Sequence, residues 1–188
     1  FLLVALSSAC KTAPATIPAG FRQVLSPPVV SDRFIVDLRY NTDANFLHRN
    51  VYGPQGVNHC LLHPVAAERL LQLVPLLEAQ HLKLVIWDCW RPLAVQREMW
   101  KIMPDPRYVA DPAKGSNHNR GMAIDCSLAD EEGRLLSMPT LFDDFTEKAS
   151  PNFVCPAEEK ERCEHRDLQI RLLKEAGFEV FPTEWWHY

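Results

Sequence analysis

The sequence predicts an α+β fold: a small, mostly antiparallel sheet flanked by helices in a single domain. Three observations predict it. Strand-like apolar runs at 34–40, at 82–88 and from 121 onward are interspersed with helix-like runs at 64–80, 93–103 and 156–176. The chain has 188 residues with 47% hydrophobic content, enough for one domain with its own core. The 15 prolines fall near element boundaries rather than in a tract, so they mark loops. A formal net charge of -4 leaves no basic footprint and argues against nucleic acid as a partner.

Residues 1–10, Phe-Leu-Leu-Val-Ala-Leu-Ser-Ser-Ala-Cys, read as the remnant of a signal peptide. They are too few to span a bilayer. Leu6-Ser7-Ser8-Ala9-Cys10 resembles a bacterial lipoprotein cleavage site, so export to the periplasm is expected, with a lipid anchor at Cys10; the alternative is a cytoplasmic protein. Residues 11–30 are an extended lead-in, and 31–188 form the folded domain that carries the chemistry. Phe34–Tyr40 alternates as a strand, and 41–46 is a polar turn. From Pro64, a residue suited to the first helical position, Leu70, Leu73, Val74 and Leu77 keep helical spacing to about Gln80. Pro75 lies inside that pattern and should kink or divide the helix. Leu82–Asp88 is a buried strand, and Leu93–Met103 a second amphipathic helix.

From Gly121 the side chains alternate again. Met122, Ile124 and Cys126 form an apolar face; Gly121, Ala123 and Asp125 form a face of small neighbours with room for an ion. A hairpin-like turn at Asp130–Gly133 follows. The charged helix from Pro156 ends near Ala176 with Gly177 as its terminating residue, and Phe178–Phe181 is a short closing strand. Six cysteines allow 15 connectivities. Cys155 and Cys163, close together in a polar stretch, are the best disulfide pair, while Cys89 and Cys126 read as buried small hydrophobes.

The chemistry concentrates in Ser116–Asp125 and Glu184–His187. Two imidazoles, His118 and His187, and the Asp125 carboxylate supply three ligands, and Glu184 is left over as a base. That set matches a catalytic zinc site, one ion per chain, with a fourth position for water. Glu184 and His187 are three apart, so the backbone must turn or bulge between them if both reach one ion.

Ser-x-His-x-x-Gly-x-Ala-x-Asp from Ser116, followed by Glu-x-x-His from Glu184, resembles the D-alanyl-D-alanine dipeptidases, the VanX-like branch of the zinc D,D-peptidases. The resemblance runs from about Asp37 to Tyr188. It implies hydrolysis of free D-Ala-D-Ala in cell-wall metabolism. Through Asp-x-x-Arg-Pro at 88–92 it implies that Arg91 supports the transition state, with Asp88 orienting it. Tyr-x-Thr-x-x-Asn-Phe at 40–46 makes Tyr40 a pocket wall, and Tyr52 stands near a tyrosine of the relatives. Asp143 aligns with a carboxylate that holds the substrate's ammonium, with Asp144 as its neighbour in register. Ser116 matches a substrate-binding serine or else caps its turn. Zinc chemistry alone equally fits a D,D-carboxypeptidase or endopeptidase on cell-wall peptides. A non-catalytic, zinc-stabilised binding domain is the reading of another class, against which Glu184 stands.

Overall fold

The computed structural model describes residues 28–188, so the 1–10 segment, its Cys10 and nearly all of the 11–30 lead-in lie outside the described residues. Three strands form one sheet in the order β1 (Phe34–Val36), β2 (Lys83–Asp88), β3 (Asp125–Ala129). The sheet is mixed rather than mostly antiparallel: β1 and β2 run parallel, β2 and β3 antiparallel. The reason lies in the connection. Between β1 and β2 the chain makes α1 (Pro64–Gln72) and α2 (Val74–Ala79), a crossover long enough to return to the same edge in the same direction.

Helix α1 begins with Pro64, whose missing N–H is one that no helix could use, and His63 Nδ1 accepts from the Val65 N–H at 3.3 Å. The helical run over 64–80 divides at Leu73, as Pro75 inside it implies. Pro75 cannot donate to the preceding turn, so a new helix starts with it in the first turn. Helix α3 (Leu93–Ile102) follows Pro92, and α4 (Lys160–Glu175) ends as expected. Gly177, at φ 93°, donates to Lys174 O at 3.0 Å and Phe178 N to Leu173 O at 2.9 Å, the paired bonds of a Schellman stop.

Three expected strand segments shorten. β1 stops at Val36, and Tyr40 sits in a 3₁₀ turn, Arg39–Asn41, whose close lets Val51 and Tyr52 N–H groups both reach Tyr40 O. The third strand begins at Asp125 rather than Gly121, because 118–120 make a 3₁₀ turn closed by Gly121 at φ 67°. Met122 is consequently 41% exposed while Ile124 and Cys126 are fully buried, so the apolar face starts one step later than alternation implies. Phe178–Phe181 forms no strand; Phe181 only bridges to Glu184.

Pairing of β2 with β3 slips once. Ile86 faces Cys126, but Asp88, not Trp87, faces Asp125. The extra residue re-aims one end of the strand, a device common beside active sites. It brings Asp88 and Asp125 together at the sheet's polar end. The tail then lies along β3: Cys126 N donates to Trp186 O, Ile124 N to Tyr188 O, and Tyr188 N to Ile124 O, each at 2.9 Å.

One apolar cluster fills the space between the sheet, α1, α2 and α4, with Leu70, Leu73, Leu84, Ile86, Ile124 and Leu173 fully buried. A second gathers Tyr40, Tyr52, Val95 and Met99. Phe142 packs against both, and the polar end of the sheet opens between them. Among the described residues two disulfides form. Cys155–Cys163 is the pair expected; Cys60–Cys89 is not, since the apolar context of Cys89 reads as that of a buried small hydrophobe. Cys126 is free and buried as expected. Among the described residues no helix is long and apolar enough to cross a membrane.

Candidate active site

The 3₁₀ turn after Asn117 aims His118 inward, and the polar end of β3 supplies Asp125. The tail supplies His187 through a bridge to Asp125, after the chain reverses at Trp185–Trp186. That reversal is the turn the Glu184–His187 spacing demanded. His118 Nε2 lies 3.3 Å from Asp125 Oδ1, His187 Nδ1 lies 3.1 Å from the same oxygen, and the two nitrogens are 3.3 Å apart. Ligands at about 2.0–2.2 Å from a tetrahedral zinc stand roughly 3.4 Å from one another. The triangle therefore has the dimensions of three corners of such a site, and these are the residues able to hold a metal ion.

The donor chemistry agrees. His118 Nδ1 donates to Cys89 O at 2.7 Å, which leaves Nε2 of the neutral ring as a bare acceptor facing the cluster. Asp125 Oδ1 is buried without a hydrogen-bond partner. Acceptors turned on one another in a buried site call for a cation between them. Burial and the charges of neighbouring groups oppose one another in the titration of all three residues. Burial lowers the pKa of His118, but Asp125 and Asp88 overcome it and raise it. Burial pushes Asp125 up, yet the two imidazoles hold it well below the carboxylate range. Burial lowers His187 against the pull of Asp125.

Glu184 stands beside this triangle without belonging to it, its Oε2 3.5 Å from His187 Nδ1 and the residue 3% exposed. Burial, with Asp125 and Asp143 adding repulsion, lifts its pKa well above the usual value against the pull of Arg91. Arg91 is buried and clamped. Its Nε and Nη2 donate to Asp88 Oδ2 at 2.9 and 2.7 Å, its Nη1 donates to Gln96 Oε1 at 3.0 Å, and Nη2 is 3.6 Å from Asp125. The guanidinium also lies over the Tyr40 ring at 5.2 Å. Asp88 Oδ1 in turn accepts from the Cys89 N–H at 2.8 Å and from the Tyr52 hydroxyl. Tyr52 thus braces Asp88 from within the core and does not line the cavity.

Asp143 takes a left-handed backbone, φ 60°, which an aspartate adopts more readily than most residues. That conformation turns its carboxylate toward the Tyr40 hydroxyl, which donates at 3.1 Å, and the Phe46 N–H, at 3.1 Å. Burial pushes its pKa up to about 7, against the Phe46 N–H. Ser116 does two things: its Oγ accepts from the His118 N–H at 3.2 Å, and it lines the cavity.

Eight of the residues singled out from the sequence, Tyr40, Arg91, Ser116, His118, Asp125, Asp143, Glu184 and His187, line one cavity of about 170 Å³, and Asp88 and Tyr52 lie behind it. Asp144 does not line that cavity; it faces a second, larger hollow of about 990 Å³ that shares only Phe46 and Asp143 with the first. The sequence reading missed Gln96 and Asn119, which fix Arg91 through its guanidinium and its carbonyl. Gln96 left a signal: a polar residue between Val95 and Met99 on the buried face of α3.

The D-ala-D-ala dipeptidase family matches residues 24–188. The D-alanyl-D-alanine dipeptidase of Escherichia coli (strain K12) is 35% identical over 155 residues, covering 81% of this chain and 77% of that protein. The D-alanyl-D-alanine dipeptidase of Enterococcus faecium is 30% identical over 173 residues, covering 81% of this chain and 83% of that one.

Proposed function

The chain belongs to the D-ala-D-ala dipeptidase family of metal-dependent peptidases, and on that premise we propose that it hydrolyses free D-Ala-D-Ala to D-alanine at a single zinc ion. The observation that carries the reading is the His118–Asp125–His187 triangle with a buried carboxylate beside it that the triangle does not use. A purely structural zinc site closes all four positions and needs no spare base.

When bound, the ion supplies a Lewis acid that polarises the scissile carbonyl, brings the pKa of water toward about 7 and offsets the charge that raises Glu184. His118, Asp125 and His187 hold it. Glu184 accepts the proton of the attacking water and returns it to the leaving amine. Arg91, which stays charged and is fixed by Asp88 and Gln96, meets the negative charge that grows on the carbonyl oxygen. Asp143, held by Tyr40 and Phe46, receives the substrate's ammonium, and Ser116 lines the wall beside the first imidazole.

An acid at the cavity wall favours a dipeptide with a free amine over the carboxypeptidase and endopeptidase readings, whose substrates carry an acylated nitrogen there. The test compares D-Ala-D-Ala with its N-acetyl form, before and after metal chelation. The free dipeptide is cleaved and the acetylated one is slower by roughly thirtyfold or more, the cost of about 2 to 5 kcal/mol for a charge left unpaired. Chelation stops both. Equal rates on the two substrates would remove the role given to Asp143.

A pH dependence follows from the same residue. With its pKa raised to about 7, Asp143 becomes neutral as the pH falls through that value and loses its hold on the ammonium. The kcat/KM for the dipeptide should therefore decline on the acid side of about 7. Asp143→Asn should flatten that limb at a lower plateau; an unchanged limb in the variant would assign it elsewhere.

We extend the proposal to the periplasm, with Cys10 as the anchor site, on the strength of the sequence of residues 1–10. The two disulfides support an oxidising compartment.

A further inference from the structure

We propose that the Cys60–Cys89 disulfide is a positioning device for His118: it pins the peptide whose carbonyl orients that imidazole, and so sets how tightly the site holds its ion. The inference rests on the metal-site reading above.

Cys89 is the first residue past β2, and both cysteines are 1% exposed. Its carbonyl receives the His118 Nδ1–H at 2.7 Å. Its N–H goes to Asp88 Oδ1 at 2.8 Å, on the carboxylate that clamps Arg91. The backbone of one residue thus holds both a metal ligand and the carboxylate that clamps the cationic group opposite it. The segment that reaches it through sulfur, Cys60 to His63, is stitched to the same place by backbone bonds. Trp90 N donates to Leu61 O at 2.9 Å and His63 N to Gly121 O at 2.8 Å, while Arg91 N, outside that segment, donates directly to His118 O at 3.1 Å. The 60–63 segment therefore spans the exit of β2 and the turn that carries His118. The disulfide is the covalent member of that set, joining positions 29 apart in sequence.

The partner of a ligating imidazole's second nitrogen governs ring orientation and basicity, and losing it typically weakens metal binding about 10- to 100-fold. A side chain in that role can be mutated away. Here the partner is a main-chain carbonyl, and the cross-link on its own residue adds a covalent restraint to the backbone bonds around it. Cys155–Cys163 offers an internal control. It closes a short loop at the start of α4, and neither cysteine lines the cavity.

The experiment measures zinc affinity by competition with a chromophoric chelator, and the visible bands of the cobalt(II) form, for the full chain. It compares the wild type, Cys60→Ser/Cys89→Ser and Cys155→Ser/Cys163→Ser. A second pair, Cys60→Ala/Cys89→Val, keeps the site apolar in case the serine pair does not unfold cooperatively. The expected result is a roughly 10- to 100-fold weaker zinc complex and altered cobalt bands when Cys60–Cys89 is removed. Removing Cys155–Cys163 should lower the Tm and leave both readouts alone. Wild-type affinity and bands in either Cys60/Cys89 variant would overturn the inference, and so would equal weakening by the two disulfides, which would mark general destabilisation. A wild type that binds no zinc would instead overturn the metal-site reading on which the inference stands.

Discussion

Glu184→Ala should retain its metal and lose about 10² to 10⁴ in kcat on D-Ala-D-Ala, the usual worth of a positioned acid–base group. The prediction separates two jobs that residues three apart in the chain divide. His187 reaches the triangle through Nδ1; Glu184, three residues earlier, stops 3.5 Å from that nitrogen. Removing the carboxylate leaves His118, Asp125 and His187 in place, since Asp125 still bridges to His187 through the backbone. Metal content measured on the purified variant should match that of the wild type, while release of D-alanine nearly stops. Glu184→Gln is the sharper variant, because it keeps the buried volume and removes only the proton-accepting charge. If either variant turned over normally, proton transfer would have to be reassigned.

Replacing Arg91 with alanine should be nearly as damaging in turnover and worse in stability. A donor aimed at developing oxyanion charge is worth about 10² to 10³ in kcat. The structural cost is separate. Asp88 is fully buried and leans on Arg91 for two of its bonds. Breaking a buried ion pair by removing one partner costs roughly 3 to 5 kcal/mol, because the remaining charge stays desolvated. Arg91→Lys should not rescue either effect, as an ammonium cannot reach Asp88 and Gln96 with the same planar fork. The measurements are kcat against KM and a thermal unfolding curve. A large fall in Tm with kcat within tenfold of wild type would make Arg91 a brace for Asp88 rather than a participant.

What could be read from the sequence follows from what is local. His118 and Asp125 are seven residues apart, with glycine and alanine between them, and that spacing carries a turn and a strand start without outside help. The division of the 64–80 helix at Leu73 was equally legible, because Pro75 forbids one particular hydrogen bond wherever it sits. Direction and register were not. Whether β1 and β2 run parallel depends on how α1 and α2 cross the sheet, and the slip that sets Asp88 against Asp125 breaks the very alternation from which strands are inferred. Cys89 looked like any small apolar residue, since its neighbours say nothing of Cys60 far upstream. Tyr40 continued an alternating run, yet two N–H groups from 51–52 converge on its carbonyl and favour a turn.

The lie of residues 186–188 along β3 has a second meaning. A strand at the rim of a sheet offers unpaired N–H and C=O groups that another chain can adopt, and here the amides of Ile124 and Cys126 are taken up by the tail. Between Leu128 and Leu135–Leu136 the following segment does the same for the far end of that strand. The stretch that delivers His187 is thus also a guard against sticky edge-to-edge pairing. A chain whose tail came away would lose its catalyst and gain a template for aggregation in one event, so inactivation and clumping should arrive together on heating rather than in sequence.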